Sequence, residues 1–360
     1  MKHLSEYRDK ELAQKLIAAI RYHSKRPIRL MEVCGTHTVS IFRHGIRQVL
    51  PPAIQLISGP GCPVCVTATE EIDRAVKLAR VPEVMVATFG DLVRVPGSHS
   101  SLQKERASGA DVRMVYSTFD ALKLAQENEK KKVVFLAIGF ETTAPTVAAA
   151  VLEAARLGLP NFFILSAHKL LPPALGALLN SGDLNIQGFI YPGHVTTIIG
   201  TSAYEGVAEK YRVPGVVCGF EPVDILETIL LLVQQIEQGQ ARVEIQYKRG
   251  VDAMGNPKAL QILDQVFIPC DAPWRGLGII PGSGLILRPS FRAFAAEDHF
   301  DLQVPPAKDH PGCACGEVLR GVKTPPECRL FRTVCRPESP LGPCMVSMEG
   351  TCAAYFKYQE

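Results

Sequence analysis

Short apolar runs alternate with helix-patterned stretches through the middle of this chain, and that alternation predicts parallel α/β layers. Strands are expected at Ile28–Val33, Ile54–Ser58, Val84–Thr88, Val133–Ile138, Phe162–Ser166, Gly188–Tyr191 and Val216–Cys218. Helices are expected between them, at Glu70–Arg80, Ala121–Glu129, Pro145–Leu157, Pro173–Asn180 and Val223–Glu237. Each strand empties into a loop rich in Gly, Pro, Thr, His or Cys. Examples are Cys34-Gly-Thr-His-Thr38, Gly59-Pro-Gly-Cys-Pro-Val-Cys65, Gly139-Phe-Glu-Thr-Thr-Ala-Pro145 and Tyr191-Pro-Gly-His194. Open α/β sheets bind ligands beyond the carboxyl ends of their strands, so a site is expected on these loops. Gly-Phe-Glu recurs at 139–141 and 219–221, which suggests two similar units. The charged run Gln126–Lys132 precedes a new strand and marks a candidate boundary, although a solvated helix end reads the same way. The expected organisation is an α/β domain over 28–130, a second over 131–238, and a third, cysteine-rich α/β unit over 239–360 that recruits an N-terminal helix within 1–27.

The last part of the chain sets the chemistry. Six of eleven cysteines fall at Cys313, Cys315, Cys328, Cys335, Cys344 and Cys352. Such density means a disulfide framework or a metal centre, and the redox compartment decides between them. The chain opens on charged residues and an amphipathic pattern, Leu12, Leu16, Ile17 and Ile20, rather than on the apolar core of a secretory signal. A cytoplasmic location is therefore expected, and there clustered cysteines read as metal ligands or redox thiols. A chain of 360 residues, 47% hydrophobic, is long enough to fold around its own cores without staples. With a net charge of +3, no basic block and no long uninterrupted apolar stretch, neither nucleic acid nor a membrane is an expected partner. No phosphate-binding loop of the Gly-x4-Gly-Lys-[Ser/Thr] type occurs.

Two loops carry candidate ligands outside the tail. Cys34-x-x-His37 offers a thiolate and an imidazole, and Cys62-x-x-Cys65 offers two thiolates, a set that suits iron, zinc or copper. Thr67-Ala-Thr-Glu70 reads as a capping box for the next helix, which would place Cys65 near a helix N-terminus and favour its thiolate. A redox pair of thioredoxin type is the competing meaning of Cys-x-x-Cys. Cys218 and Cys270 stand alone and are expected as packed thiols, while His44, His99, His299 and His310 are expected at the surface. In the tail, one tetrahedral zinc or one cubane cluster takes four ligands, so two of the six cysteines remain for other work. A cluster beside a redox-active thiol pair fits that surplus.

These motifs, together with the tail sequences Cys313-x-Cys-Gly-Glu-Val-Leu-x-Gly321 and Gly342-Pro-Cys-Met-Val-Ser-Met-Glu-Gly-Thr-Cys352, resemble the HypD family of maturation factors for nickel–iron hydrogenases. The resemblance runs from about residue 30 to the C-terminus. It implies a metallocentre-assembly scaffold with redox activity rather than an ordinary metabolic enzyme. HypD-like proteins pair with the small chaperone HypC, and iron on that complex acquires two cyanides, delivered through HypE with HypF upstream, and one carbon monoxide. The iron group then passes to the hydrogenase large subunit. The resemblance further implies a [4Fe-4S] cluster and a cysteine arrangement similar to that of ferredoxin:thioredoxin reductase. Carried over, Cys34, His37, Cys62 and Cys65 would hold the additional iron. Cys313, Cys328, Cys335 and Cys352 would ligate the cluster, leaving Cys315 and Cys344 as the redox pair. Glu349 and His194 would supply protons or hydrogen bonds beside the iron, with a structural role as the alternative. Electrons would enter through the cluster, reach Cys315/Cys344 and reset the Cys62/Cys65 region. The alternative reading is a stand-alone iron–sulfur thiol–disulfide oxidoreductase, and a third is a structural zinc protein.

Overall fold

The computed structural model describes residues 6–182 and 184–359. Its strands are β1 (Ile28–Glu32), β2 (Ile54–Ser58), β3 (Val84–Thr88), β4 (Val112–Met114), β5 (Lys132–Ala137), β6 (Phe162–Ser166), β7 (Gly188–Pro192), β8 (Gly215–Cys218), β9 (Val243–Ile245), β10 (Phe267–Trp274) and β11 (Gly278–Leu287). Two sheets are parallel throughout, with strand orders β2-β1-β7-β8-β9 and β4-β3-β5-β6. Strands β3 and β7 are buried along their whole length. That is why the central strands appear in the sequence as unbroken apolar runs rather than as alternating patterns. The expected pair of Rossmann-like parallel units is present, and the two Gly-Phe-Glu loops follow β5 in one sheet and β8 in the other.

The division of the chain differs from the expected succession. Strands β3 to β6, residues 84–166, form one sheet without interruption, and the other sheet takes β1 and β2 from before that block and β7 to β9 from after it. Backbone pairing of Met31 with Phe189 crosses the boundary expected at 130/131. The charged run Gln126–Lys132 is the solvated end of the helix Thr118–Glu127 leading into β5 of the same sheet. Nor does the cysteine-rich unit begin at 239. Strand β9 extends the first sheet, and the antiparallel β10–β11 hairpin packs Phe267, Leu285 and Leu287 against Phe162 and Ile164 of the second. The N-terminal helix Lys10–His23 lies on the helix Pro222–Glu237, where Ile20 joins Ile225, Ile229 and Val233 in the core of the first sheet. It is not recruited by the tail. No helix among the described residues is long and apolar enough to cross a membrane.

The two sheets share one hydrophobic core, which takes in Met31 and Val33 from one and Val86, Val134 and Leu136 from the other. The cysteine-rich tail closes that region with three short helices, Cys315–Leu319, Pro343–Val346 and Thr351–Tyr358. The last of these packs on the helix Gly35–Arg43, with the Phe42 and Tyr355 rings 4.5 Å apart. Arg47 fastens the joint by donating to the Tyr355 hydroxyl at 3.0 Å.

Candidate functional site

In an open α/β sheet the ligand crevice forms where the strand order reverses direction. In the five-stranded sheet this point lies between β1 and β7. Cys34 follows β1, His194 follows β7, and the Cys34 Sγ lies 3.9 Å from His194 Nδ1. Cys34 also caps the helix Gly35–Arg43. Burial pushes its thiol up to about 12, and the nearby carboxylates of Glu349 and Glu32 add to that, against the opposing backbone N–H groups of His37 and Thr36. His194 is pulled down to about 4 by burial, so its imidazole is neutral.

His37 is turned away from this pair. Its ring is fully buried and stacked on Phe220 at 4.9 Å, and its Nε2 lies 2.8 Å from the Gly219 carbonyl, so Nε2 carries the proton. Burial lowers its pKa to about 4, and its buried Nδ1 has no partner. The residue that the motif places beside Cys34 in sequence thus ties two strand-end loops together, whereas His194 comes to Cys34 in space. Glu349 lies against the same helix start. It accepts from Thr36 Oγ1 at 2.7 Å, and a Cβ on Gly35 would come within 2.6 Å of its Cβ.

The Cys62–Cys65 loop abuts the Cys34 loop through backbone. Gly35 N donates to the Gly61 carbonyl at 3.0 Å, and a Cβ on Gly61 would lie 2.0 Å from Cys34 N. Only glycine permits that approach. Cys62 precedes the one-turn helix Pro63–Val66 and Cys65 lies within it. The expected capping box is displaced by one residue. Ala68 holds the N-cap position of the helix Thr69–Ala79, its N–H donates to Glu71 Oε2 at 2.8 Å, and Thr67 Oγ1 instead donates back to the Pro63 carbonyl. Ala68 has no side-chain oxygen, so only half of the box forms.

From this loop a chain of thiols leads into the tail. The helix Pro63–Val66 that carries Cys65 packs on the helix Pro343–Val346 that carries Cys344, and Cys344 Sγ lies 2.8 Å from Cys315 Sγ. Burial by itself would push Cys65 up. Hydrogen bonds from Cys344 and Cys62, with the charge of Arg275, outweigh it and bring the thiol down to about 5. The neighbours move the other way: Cys344 is raised first by Cys315, and Cys62 first by Cys65. Motif reading identified the cysteines but missed Arg275, whose charge acts on Cys65 from the β10–β11 turn, and Ser347, which lowers Cys62. Neither belongs to a pattern that spacing could reveal. Glu32 carried a fainter signal as an acid ending an apolar run; fully buried, it accepts from Cys34 N and Thr38 Oγ1 and is raised to about 7 by burial.

All six tail cysteines line one small cavity walled by Val318, Leu330, Phe331 and Met345. Burial raises Cys313 to about 12, with Cys315 adding to the effect, and burial also raises Cys335. Gly342 keeps the cavity open, because a Cβ there would approach Cys313 Sγ to 2.8 Å. Among the described residues no three His, Cys, Asp or Glu side chains already stand in metal-binding array; the thiols ring the space without meeting at a point. Soft sulfur donors in an apolar pocket, more than four of them, are a donor set that fits an iron–sulfur cluster. Cys218 is packed, its thiol directed at the Gly219 carbonyl, and Cys270 is half-buried on β10. His44, His99, His299 and His310 are exposed.

Comparison with known proteins gives a consistent result. The HypD family model, described as the hydrogenase formation hypA family, matches residues 11–359. The chain is 49% identical to the hydrogenase maturation factor HypD of Rhizobium leguminosarum bv. viciae, with 99% of this chain and 96% of that protein covered. It is 47% identical to the HypD of Azotobacter vinelandii, covering 99% and 97% of the two chains. Against the HypD of Escherichia coli K12 the identity is 46%, with 100% and 99% covered.

Proposed function

The chain belongs to the HypD family of hydrogenase maturation factors, and from that premise we propose that it is a scaffold on which the iron group of a nickel–iron hydrogenase is assembled. The cargo is an iron atom that receives two cyanides and one carbon monoxide before transfer to the hydrogenase large subunit. A small HypC-type chaperone shares the iron, and a HypE-type protein, supplied by HypF, brings cyanide. The observation that carries the reading is the meeting of three separate segments: Cys34 with His194 at the reversal of strand order, the Cys62–Cys65 loop hydrogen-bonded to it through Gly61, and the tail helix that carries Cys344 packed on the helix that carries Cys65.

Cys34, Cys62 and Cys65 are the thiols that would hold the iron, since thiolates supply the electron density that cyanide- and carbonyl-bearing iron requires. His37 would join only through Nδ1, the one ring nitrogen left without a partner. His194, neutral and beside Cys34, and Glu349, beside the same helix start, are placed to accept or return the protons that leave as thiols become ligands. A [4Fe-4S] cluster held by Cys313, Cys328, Cys335 and Cys352 would supply single electrons to the remaining pair.

The rest is thiol chemistry of the chain itself. When Cys315 and Cys344 are dithiol and Cys62 and Cys65 are disulfide, Cys344 gives up its proton as its sulfur attacks Cys65, forming a Cys344–Cys65 bond and releasing Cys62, which takes up a proton. Attack by Cys315 on Cys344 then frees Cys65 and leaves a Cys315–Cys344 disulfide. Two electrons and two protons have moved to the iron-holding loop. The contact of Cys315 with Cys344 equally favours a second reading, a stand-alone thiol–disulfide oxidoreductase that handles no iron at Cys34.

Anaerobic purification with the small partner, iron analysis and infrared spectroscopy between roughly 1,900 and 2,150 wavenumbers separate the two. Carbonyl and cyanide bands that vanish in Cys34→Ala support the scaffold. A silent window with about four irons per chain and a reducible disulfide supports the oxidoreductase.

A further inference from the structure

A cleft of about 860 Å3 opens on the molecule next to the thiol loop, a size within the range of small-molecule sites. Nothing in the thiol chemistry uses it. Its charged lining is Arg94, Lys104, Arg275 and Lys308 against Asp309 and Glu338. The four cations come from different places in the chain: Arg94 follows the short helix after β3, Lys104 lies in the helix Leu102–Ala107, Arg275 is in the β10–β11 turn, and Lys308 belongs to the irregular segment before the tail.

Exposed lysines alone would be ordinary solvated charge. Arg275 is different, being only 7% exposed. Its Nε donates to the Thr67 carbonyl at 3.0 Å and its Nη1 to the Asp309 carboxylate, which Thr69 Oγ1 also holds. Its Nη2 has no partner. A guanidinium cannot shed its proton, so a buried N–H of this kind requires an acceptor. Lys104 and Lys308, which also line the cleft, have no ion-pair partner among the described residues. With the charge of Asp309 taken by Arg275, three cations face Glu338 alone.

We propose that this cleft binds a small polyanion carrying at least two phosphate or carboxylate groups, one taken by Arg275 and another by Lys104 and Lys308. Both groups match a guanidinium fork and an ammonium point charge, and four lining cations drawn from separate segments call for more than one anionic group. None of the thiols lines the cleft, although Arg275 is shared with the surroundings of Cys65, so binding there can be read without iron assembly.

Equilibrium dialysis of the full chain against pyrophosphate, and in parallel against citrate, tests this. Saturable binding of at least one of them is expected, weakened about tenfold or more in Lys104→Gln/Lys308→Gln. Pyrophosphate alone identifies phosphate as the group read, and citrate alone identifies carboxylate. Arg275→Lys keeps the charge and removes the fork, and weaker binding is expected there too. If that variant fails to fold, the surface lysine pair still decides. Absence of saturable binding to both anions overturns the proposal, as does binding that the lysine variant leaves unchanged.

Discussion

Lys169 and Glu71 form an ion pair at 2.5 Å, with side-chain exposures of only 1% and 9%. The pair joins the loop after β6 to the first turn of the helix that follows the Cys62–Cys65 loop. Burial holds the Glu71 carboxyl above its ordinary value despite the Lys169 charge, which means that the attraction does not fully offset the cost of leaving water. Removing one partner should therefore cost far more than removing both. Lys169→Met keeps the volume and leaves a buried carboxylate without a countercharge, for a loss of about 3–5 kcal/mol at neutral pH. Adding Glu71→Gln abolishes the charge while its amide oxygen still accepts from Ala68 N, so the double variant should recover to within about 1–2 kcal/mol of the wild type. In Lys169→Met the folded pKa of Glu71 lies further above its unfolded value. The penalty should grow as pH rises through the folded pKa and shrink below pH about 4.5. Urea unfolding followed through Trp274, the chain's one tryptophan, buried and donating to Ser283 Oγ at 2.8 Å, supplies the measurement. A loss under about 1 kcal/mol in Lys169→Met, or a double variant no more stable than that single one, would refute the reasoning.

Gly61→Ala places a methyl against the backbone of Val33 and Cys34, which cannot give way as a side chain could; a loss of about 1–3 kcal/mol is expected, and a thermal midpoint equal to wild type would contradict the close approach. Glu141 is buried, with its Oε2 unpartnered, and burial raises it to about 7 from 4.5, so folding takes up a proton and stability falls as pH rises from about 4.5 through 7, by up to about 3 kcal/mol. Glu141→Gln should lack that share of the decline, and parallel pH–stability curves for the two proteins would sink the assignment. Cys344→Ala removes the leading hydrogen bond that lowers Cys65, so in the metal-free chain the pH midpoint for iodoacetamide labelling of Cys65 should move up. An unchanged midpoint, read by mass spectrometry of the labelled peptide, would remove Cys344 from that role.

Much of this architecture is legible in the sequence because buried parallel strands leave continuous apolar runs. Ile54–Ser58, Val84–Thr88 and Phe162–Ser166 fall where the runs put them. Edge strands leave no such trace. Val112–Met114 buries only Val112, and Val243–Ile245 is half-exposed throughout. The β10–β11 hairpin carries Pro269, Pro273, Gly278, Gly282 and Gly284, so it reads as loop. Strand partnership was not legible either: apolar runs say that β1 is buried, not that β7 lies beside it. The same gap hid the juxtaposition of Cys34 with His194, which depends on that pairing, while His37, the nearer residue in sequence, faces Phe220.

The nesting of one sheet inside the other also orders events on the ribosome. Strands β3 to β6 form a contiguous block that can pair as soon as it emerges, but β1 must wait for β7 before its second edge is covered. Domains that need distant segments leave apolar edges and reactive groups unshielded during synthesis. Cys34 and Cys62, already translated, therefore meet solvent until the second half of the chain arrives, and Cys65 lacks its Cys344 partner until translation is nearly finished. The lowering of its thiol pKa is thus acquired only once the tail is docked on the loop.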